Sequence, residues 1–118
     1  MAVEPIERTQ WAHPEAQPDQ WKGQIELGAF GADISVIFHS SDKPGGGPRL
    51  HVHPYPEIFI VTRGRAMFTL GDDVLEAEAG QIIVVPANVP HKFANLGPGL
   101  HEGIHIHQSK RFETTWLE

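Results

Sequence analysis

The sequence predicts an all-β domain, and three observations carry that prediction. Turn residues recur at intervals of about 8–12 positions, the spacing of a β-sandwich or barrel. The runs between them are short and rich in Val, Ile, Phe and Thr. Before residue 108, no stretch repeats its apolar residues at the 3.6-residue period of an amphipathic helix. Twelve Gly and ten Pro in 118 residues leave little room for long helix. The length fits one domain of the usual size of about 100–150 residues.

Taken in order, residues 1–22 read as an N-terminal arm and 23–118 as a single barrel. The arm carries Pro5, Pro14 and Pro18, spaced too evenly for a helix, with Ile6, Trp11 and Trp21 as apolar anchors. It is expected to pack along the barrel or across onto a second copy, since tryptophan is uncommon in segments that stay disordered. Ile25, Leu27 and Ala29 alternate with polar or small residues, and Gly31-Ala32-Asp33 turns the chain into the β-rich run Ile34-Ser35-Val36-Ile37-Phe38. Gly45-Gly46-Gly47 between two prolines marks an exposed loop over 40–48. Strands are expected at 50–53, 57–63, 65–70, 74–78, 81–85, 91–95 and 100–107, separated by turns at Gly71-Asp72-Asp73, Pro86 to Pro90 and Gly97-Pro98-Gly99. In the tail, Phe112 and Trp116 stand four apart, a helical spacing that predicts a short terminal turn or helix; an irregular cover held by the two rings is the competing reading.

Composition narrows the function. Fifteen acidic and nine basic residues give a net charge of −6, and no Lys/Arg cluster is present, which argues against nucleic acid or anionic membrane as partner. Zero cysteine removes disulfides, thiolate metal sites and thiol catalysis. No apolar run approaches the roughly 20 residues of a membrane span, and the N-terminus lacks the basic and apolar regions of a signal peptide. The expectation is a cytoplasmic protein.

Histidine is the exception, with eight in 118 residues. His51-Val52-His53 sets two imidazoles on one face of an extended segment, and Arg49, Tyr55 and Glu57 share their parity, although Pro54 and Pro56 interrupt regular pairing. His91 opens a later strand, and a closed sheet that folds distant strands face to face could bring it to the other three. Two or three neutral imidazoles and a carboxylate suit a divalent first-row metal, with positions left open for water or substrate. An HxH pair on its own favours surface histidines on an edge strand.

The wider register decides between these readings. Gly45-x5-His51-x-His53-x3-Glu57-x6-Gly64 resembles the first motif of the cupin superfamily at every specified position. Gly80-x5-Pro86-x-Asn88-x2-His91-x3-Asn95 resembles the second, with Asn88 where the motif has Gly. Asn tolerates a left-handed backbone better than most residues, so that turn can survive. Fifteen residues separate Gly64 from Gly80, similar to small single-domain bacterial cupins. The resemblance implies a double-stranded β-helix, or jelly roll, with His51, His53, Glu57 and His91 holding one divalent transition metal (Fe, Mn, Ni or Zn). Gly45, Gly64, Gly80, Pro86 and Asn95 then look like turn and scaffold residues. It also implies a homodimer.

His101, His105 and His107 stay open. Ile104 and Ile106 alternate with His105 and His107, and a hydrophobic interior would turn the isoleucines inward, whereas a ligand-holding barrel would turn the imidazoles inward. Tyr55, His105 and His107 are the candidate proton-transfer residues. Arg49 is a candidate clamp for an anionic group, and Phe59 and Phe93 are candidate pocket walls. The cupin fold hosts dioxygenases, isomerases, lyases and simple binders. Two functions follow: a small-molecule metalloenzyme, favoured by four ligands with open coordination, and a non-catalytic metal-dependent ligand binder or sensor.

Overall fold

A computed structural model of the chain describes residues 4–118, so positions 1–3 of the arm lie outside it. Ten strands form two five-stranded antiparallel sheets. They are β1 (Gly23–Glu26), β2 (Ser35–Ser41), β3 (His51–Val52), β4 (Glu57–Arg63), β5 (Arg65–Leu70), β6 (Asp73–Glu78), β7 (Ile82–Val85), β8 (His91–Asn95), β9 (His101–His107) and β10 (Thr115–Trp116). The first sheet runs β1-β2-β9-β4-β7 and the second β10-β3-β8-β5-β6. Successive strands therefore alternate between the sheets along much of the chain, the jelly-roll pattern.

Strands β4, β5 and β8 match the expected limits because turn residues bound them. Gly64 lets β4 turn into β5 at a φ of 73°, and a Cβ there would collide with the Leu100 carbonyl oxygen, so both the conformation and the space demand glycine. Inward-facing Phe59, Val61, Ala66, Phe68, Ala77, Ile83, Val85 and Phe93 form the buried apolar core. That core runs directly into the imidazoles, with the Phe59 ring 4.6 Å from His105 and 5.9 Å from His91.

Two local expectations are corrected. The arm contains one helical turn, α1 (Arg8–Trp11), which fits between Pro5 and Pro14 because a single turn needs only four residues. Its Trp11 ring lies 4.2 Å from Phe38 and 5.2 Å from Trp21, so the arm lies on the outer face of β2. The tail is extended rather than helical: Thr115 pairs with Val52 and Trp116 with His51, adding β10 to the edge of β3. No helix among the described residues is long and apolar enough to cross a membrane.

Candidate metal centre

His51, His53, Glu57 and His91 are all buried, and one ligand atom from each lies within 4.8 Å of the others. The route by which His91 arrives differs from the expected one. It does not meet His51 across the barrel; the two stand opposite each other on neighbouring strands of the second sheet, rings 4.3 Å apart. Glu57 is the residue that crosses, from β4 of the first sheet.

Each imidazole is oriented by the main chain. His51 Nδ1–H donates to the Arg49 carbonyl at 2.7 Å, His91 Nδ1–H to the Val89 carbonyl at 2.8 Å, and His53 Nδ1–H to the Glu113 carbonyl at 2.8 Å. A carbonyl only accepts, so each Nδ1 carries a proton, and in the neutral ring Nε2 is left with the lone pair. His53 Nε2 and His91 Nε2 face Glu57 Oε1 at 3.1 and 3.0 Å. With the rings neutral, two lone pairs would face a carboxylate oxygen, an arrangement that needs either a shared proton or a metal cation among the three. His53 Nε2 has no aligned hydrogen-bond partner, although it is buried. The donor set and its orientation thus fit a divalent ion with mixed nitrogen and oxygen ligands.

The backbone that holds this cluster shows why Asn88 substitutes for Gly. Asn88 adopts φ 66°, and its N–H donates to the His53 carbonyl at 2.9 Å. Asn95 is a scaffold residue: its amide donates to the Ser41 and Gly99 carbonyls, both at 3.0 Å, and its oxygen accepts from Gly97 N–H at 2.7 Å.

Strand β9 resolves the histidine–isoleucine alternation in favour of the imidazoles. His101, His105 and His107 are buried and face inward, while Ile104 and Ile106 lie on the outer face. His107 pairs with Glu57 in register, its Nε2 3.1 Å from Oε2 but off the line of a hydrogen bond. Tyr55 is buried with it. The Tyr55 hydroxyl accepts from Glu113 N–H at 3.2 Å and lies 2.7 Å from His107 Nδ1. Glu57 Oε2 beside Nε2 favours the ring proton there, which makes Nδ1 the acceptor of the Tyr55 hydroxyl. His105 Nδ1 stands 4.0 Å from Glu57 Oε2.

The electrostatics follow from burial and contact. Burial alone would push Glu57 up, but His107, His53 and His91 outweigh it and hold the carboxyl below the usual range. Burial pushes His51 down, whereas for His53 the Glu57 contact overcomes burial and raises it. Burial lowers His105 to about 3, and it lowers His39 to about 4 with help from His101. Tyr55 is pushed up, chiefly by burial.

A cavity of about 410 Å³ opens over the cluster. Ile37, Pro48, Phe93, Phe112 and Trp116 supply its apolar wall, and Gln24, Thr114, His39, His105 and His107 its polar one. Phe93 is therefore a wall residue, while Phe59 lies beneath, packed on His91 and His105. Arg49 stands outside and exposed, its guanidinium 5.2 Å from the centre of the Trp116 ring, so it does not reach the cavity to clamp an anion. His39, Gln24, Phe112, Thr114 and Trp116 are wall residues that the sequence reading did not single out for the site. For His39 no local signal exists, because β2 lies beside β9, some sixty residues later. For the tail, the even spacing of 112, 114 and 116 was the available signal.

The sequence model of the family described as "Cupin domain" matches residues 38–110. An uncharacterized protein of Streptomyces coelicolor is 35% identical over 76 residues, which cover 64% of this chain and 63% of that protein. Among solved structures, a Klebsiella pneumoniae protein with a double-stranded β-helix domain superposes with a TM-score of 0.73 at 19% identity, covering 99% of both chains. A Bacillus subtilis oxalate decarboxylase with Mn(II) centres gives a TM-score of 0.71 at 21% identity, over 87% of this chain and 30% of that one. At such identities the likeness is one of fold. The matches span less than two thirds of the curated relatives.

Proposed function

The chain belongs to the cupin family, and from that premise we propose that it is a small-molecule metalloenzyme whose divalent ion is held by His51, His53, Glu57 and His91. One observation carries the reading: three buried imidazoles, each pinned through Nδ1–H to a main-chain carbonyl, turn Nε2, the ligating atom of a neutral ring, toward a buried carboxylate. The manganese of the Bacillus subtilis decarboxylase supports a first-row ion. Bound there, the ion would supply Lewis acidity at its open positions, and redox capacity if it is iron or manganese.

The chain's own residues do the rest. Main-chain hydrogen bonds fix the ring orientations before any ligand arrives, so little reorganisation is needed on binding. The aromatic and aliphatic wall excludes water from one side of the cavity. His107 can carry a proton on Nε2, 3.1 Å from Glu57 Oε2, and Tyr55 can return one to Nδ1 as the first leaves. A passive binder needs no such pair, and this favours catalysis over the binder reading.

We also propose that two copies pair through the outer face of the first sheet. Ile25, Val36, Ile106, Ile58 and Val84 form one cross-strand row there, and Ile104, Ile60 and Ile82 a second, which ends at Phe38 under the arm. On the edge strand β7, Ile82 and Val84 are 62% and 59% exposed. A two-fold contact would cover this face on both copies at once.

The test is elemental analysis of protein purified without a metal-affinity tag, beside His91→Ala. The expected result is about one equivalent of a first-row metal in the parent and little in the variant. A protein that holds no metal and takes up none on titration would overturn the proposal.

A further inference from the structure

We infer that the cavity over Glu57 takes a flat, singly anionic ligand that chelates through two adjacent oxygens, and that it disfavours small dianions such as oxalate. The inference rests on the metal centre proposed above and names the ligand class for it.

Charge balance is the first argument. Glu57 is the one side chain with a full formal charge among the described residues lining the cavity, and no Lys or Arg joins it. The nearby cations stand elsewhere: Arg49 lies over Trp116, and Arg111 is paired with Glu113 at 3.2 Å. A divalent ion with one carboxylate leaves a net single positive charge. A monoanionic chelator brings that to zero, as an enolate or a hydroxy-ketone anion would. A dianion would leave an excess negative charge against a wall with no cation to meet it, and an uncompensated charge in such surroundings is costly.

The wall supplies the second argument. The tail aligns Phe112, Thr114 and Trp116 along the cavity, with Phe112 5.0 Å from His107 and Trp116 5.0 Å from His51. These rings offer apolar contact to the body of a ligand whose oxygens sit at the ion, contact for which oxalate has no hydrocarbon surface. A third observation fits the oxygen end. His107 Nε2 is buried without an aligned partner, so its N–H is free to donate to a ligand oxygen.

The experiment uses the full chain loaded with Ni(II), with metal uptake first verified by calorimetry. Tropolone, a flat monoanionic oxygen chelator, and oxalate are then titrated, and their affinity ratio is compared with the ratio for free Ni(II) in the same buffer. The protein is expected to shift the ratio at least tenfold toward tropolone. Phe112→Ala with Trp116→Ala should weaken tropolone about tenfold and leave oxalate unchanged, and Thr114→Lys should strengthen oxalate. A ratio equal to that of the free ion, or shifted toward oxalate, overturns the inference while leaving the metal centre intact. Failure to take up Ni(II) or any first-row ion overturns both.

Discussion

His51 and His91 are held by the same device. Each ring donates Nδ1–H to the carbonyl two residues before it, Arg49 for one and Val89 for the other, and the two residues sit opposite each other on β3 and β8. The sheet therefore delivers a matched pair of lone pairs as a consequence of register, before Glu57 contributes from the facing sheet.

Removing either ring should abolish the stabilisation that metal confers. An ion at a thousandfold excess over its dissociation constant adds about 4 kcal/mol to a protein that binds it only when folded. The metal-dependent rise in Tm measured for the parent should fall to near zero in His51→Ala and His91→Ala. An undiminished rise in both variants would place the ion elsewhere.

Tyr55 separates catalysis from binding. Tyr55→Phe removes the hydroxyl shared with His107 Nδ1 and Glu113 N–H, and keeps the ring that stacks on His53. Leaving buried groups unpaired costs about 1–3 kcal/mol of stability. Metal affinity should stay within a few fold. Once a substrate is found, turnover should drop by about 10²–10⁴, with the pH profile losing one limb. Unchanged turnover would remove Tyr55 from the chemistry.

Asn88 is the departure from the family motif, and its backbone explains how it is tolerated. At φ 66° glycine is relaxed, asparagine acceptable and a β-branched residue strained. Asn88→Gly should lie within about 0.5 kcal/mol of the parent in chemical denaturation, while Asn88→Val should lose about 1–2 kcal/mol. The same valine should weaken metal binding, because Asn88 N–H holds the His53 carbonyl in place.

His39 makes metal-free stability sensitive to acid. Burial, then His101 and Lys22, lowers it from 6.5 to about 4 in the folded chain. Between those values the unfolded chain binds more protons, so stability is full above about pH 6.5 and is lost as the pH falls toward 4. The loss is on the order of 3 kcal/mol. Urea denaturation of metal-free protein at pH 7.5 and 4.5 should show a smaller difference for His39→Phe than for the parent. Equal pH dependence in the two would refute the assignment.

How far the sequence could be read depended on whether one pattern had one meaning. Strand β4 was legible because Gly64 closes it, and Glu57 shares the parity of Phe59 and Val61, which face the core. The orientation of β9 was not legible. Ile58 and Ile60 are apolar on the outer face, where they pair with Ile106 and Ile104, so apolar alternation marks both faces of this sheet. The tail misled for a related reason: a spacing of four puts two rings on one side of a helix, but it is also even, which puts them on one side of an extended segment. Pairing with the open edge of β3 selected the extended form.

The apolar outer face also gives the last prediction. Ile82 and Val84 point outward from an edge strand, so replacing both with lysine leaves the apolar core beneath them intact. In a pair joined through this face, the same lysines would be buried against isoleucine and valine without a counter-charge, and the cost of several kcal/mol per ion would weaken association more than a hundredfold. Light scattering at micromolar concentration should give a dimer mass for the parent and a monomer mass for Ile82→Lys with Val84→Lys, with thermal unfolding still cooperative. A monomeric parent, or a variant that still pairs, would exclude this face as the contact.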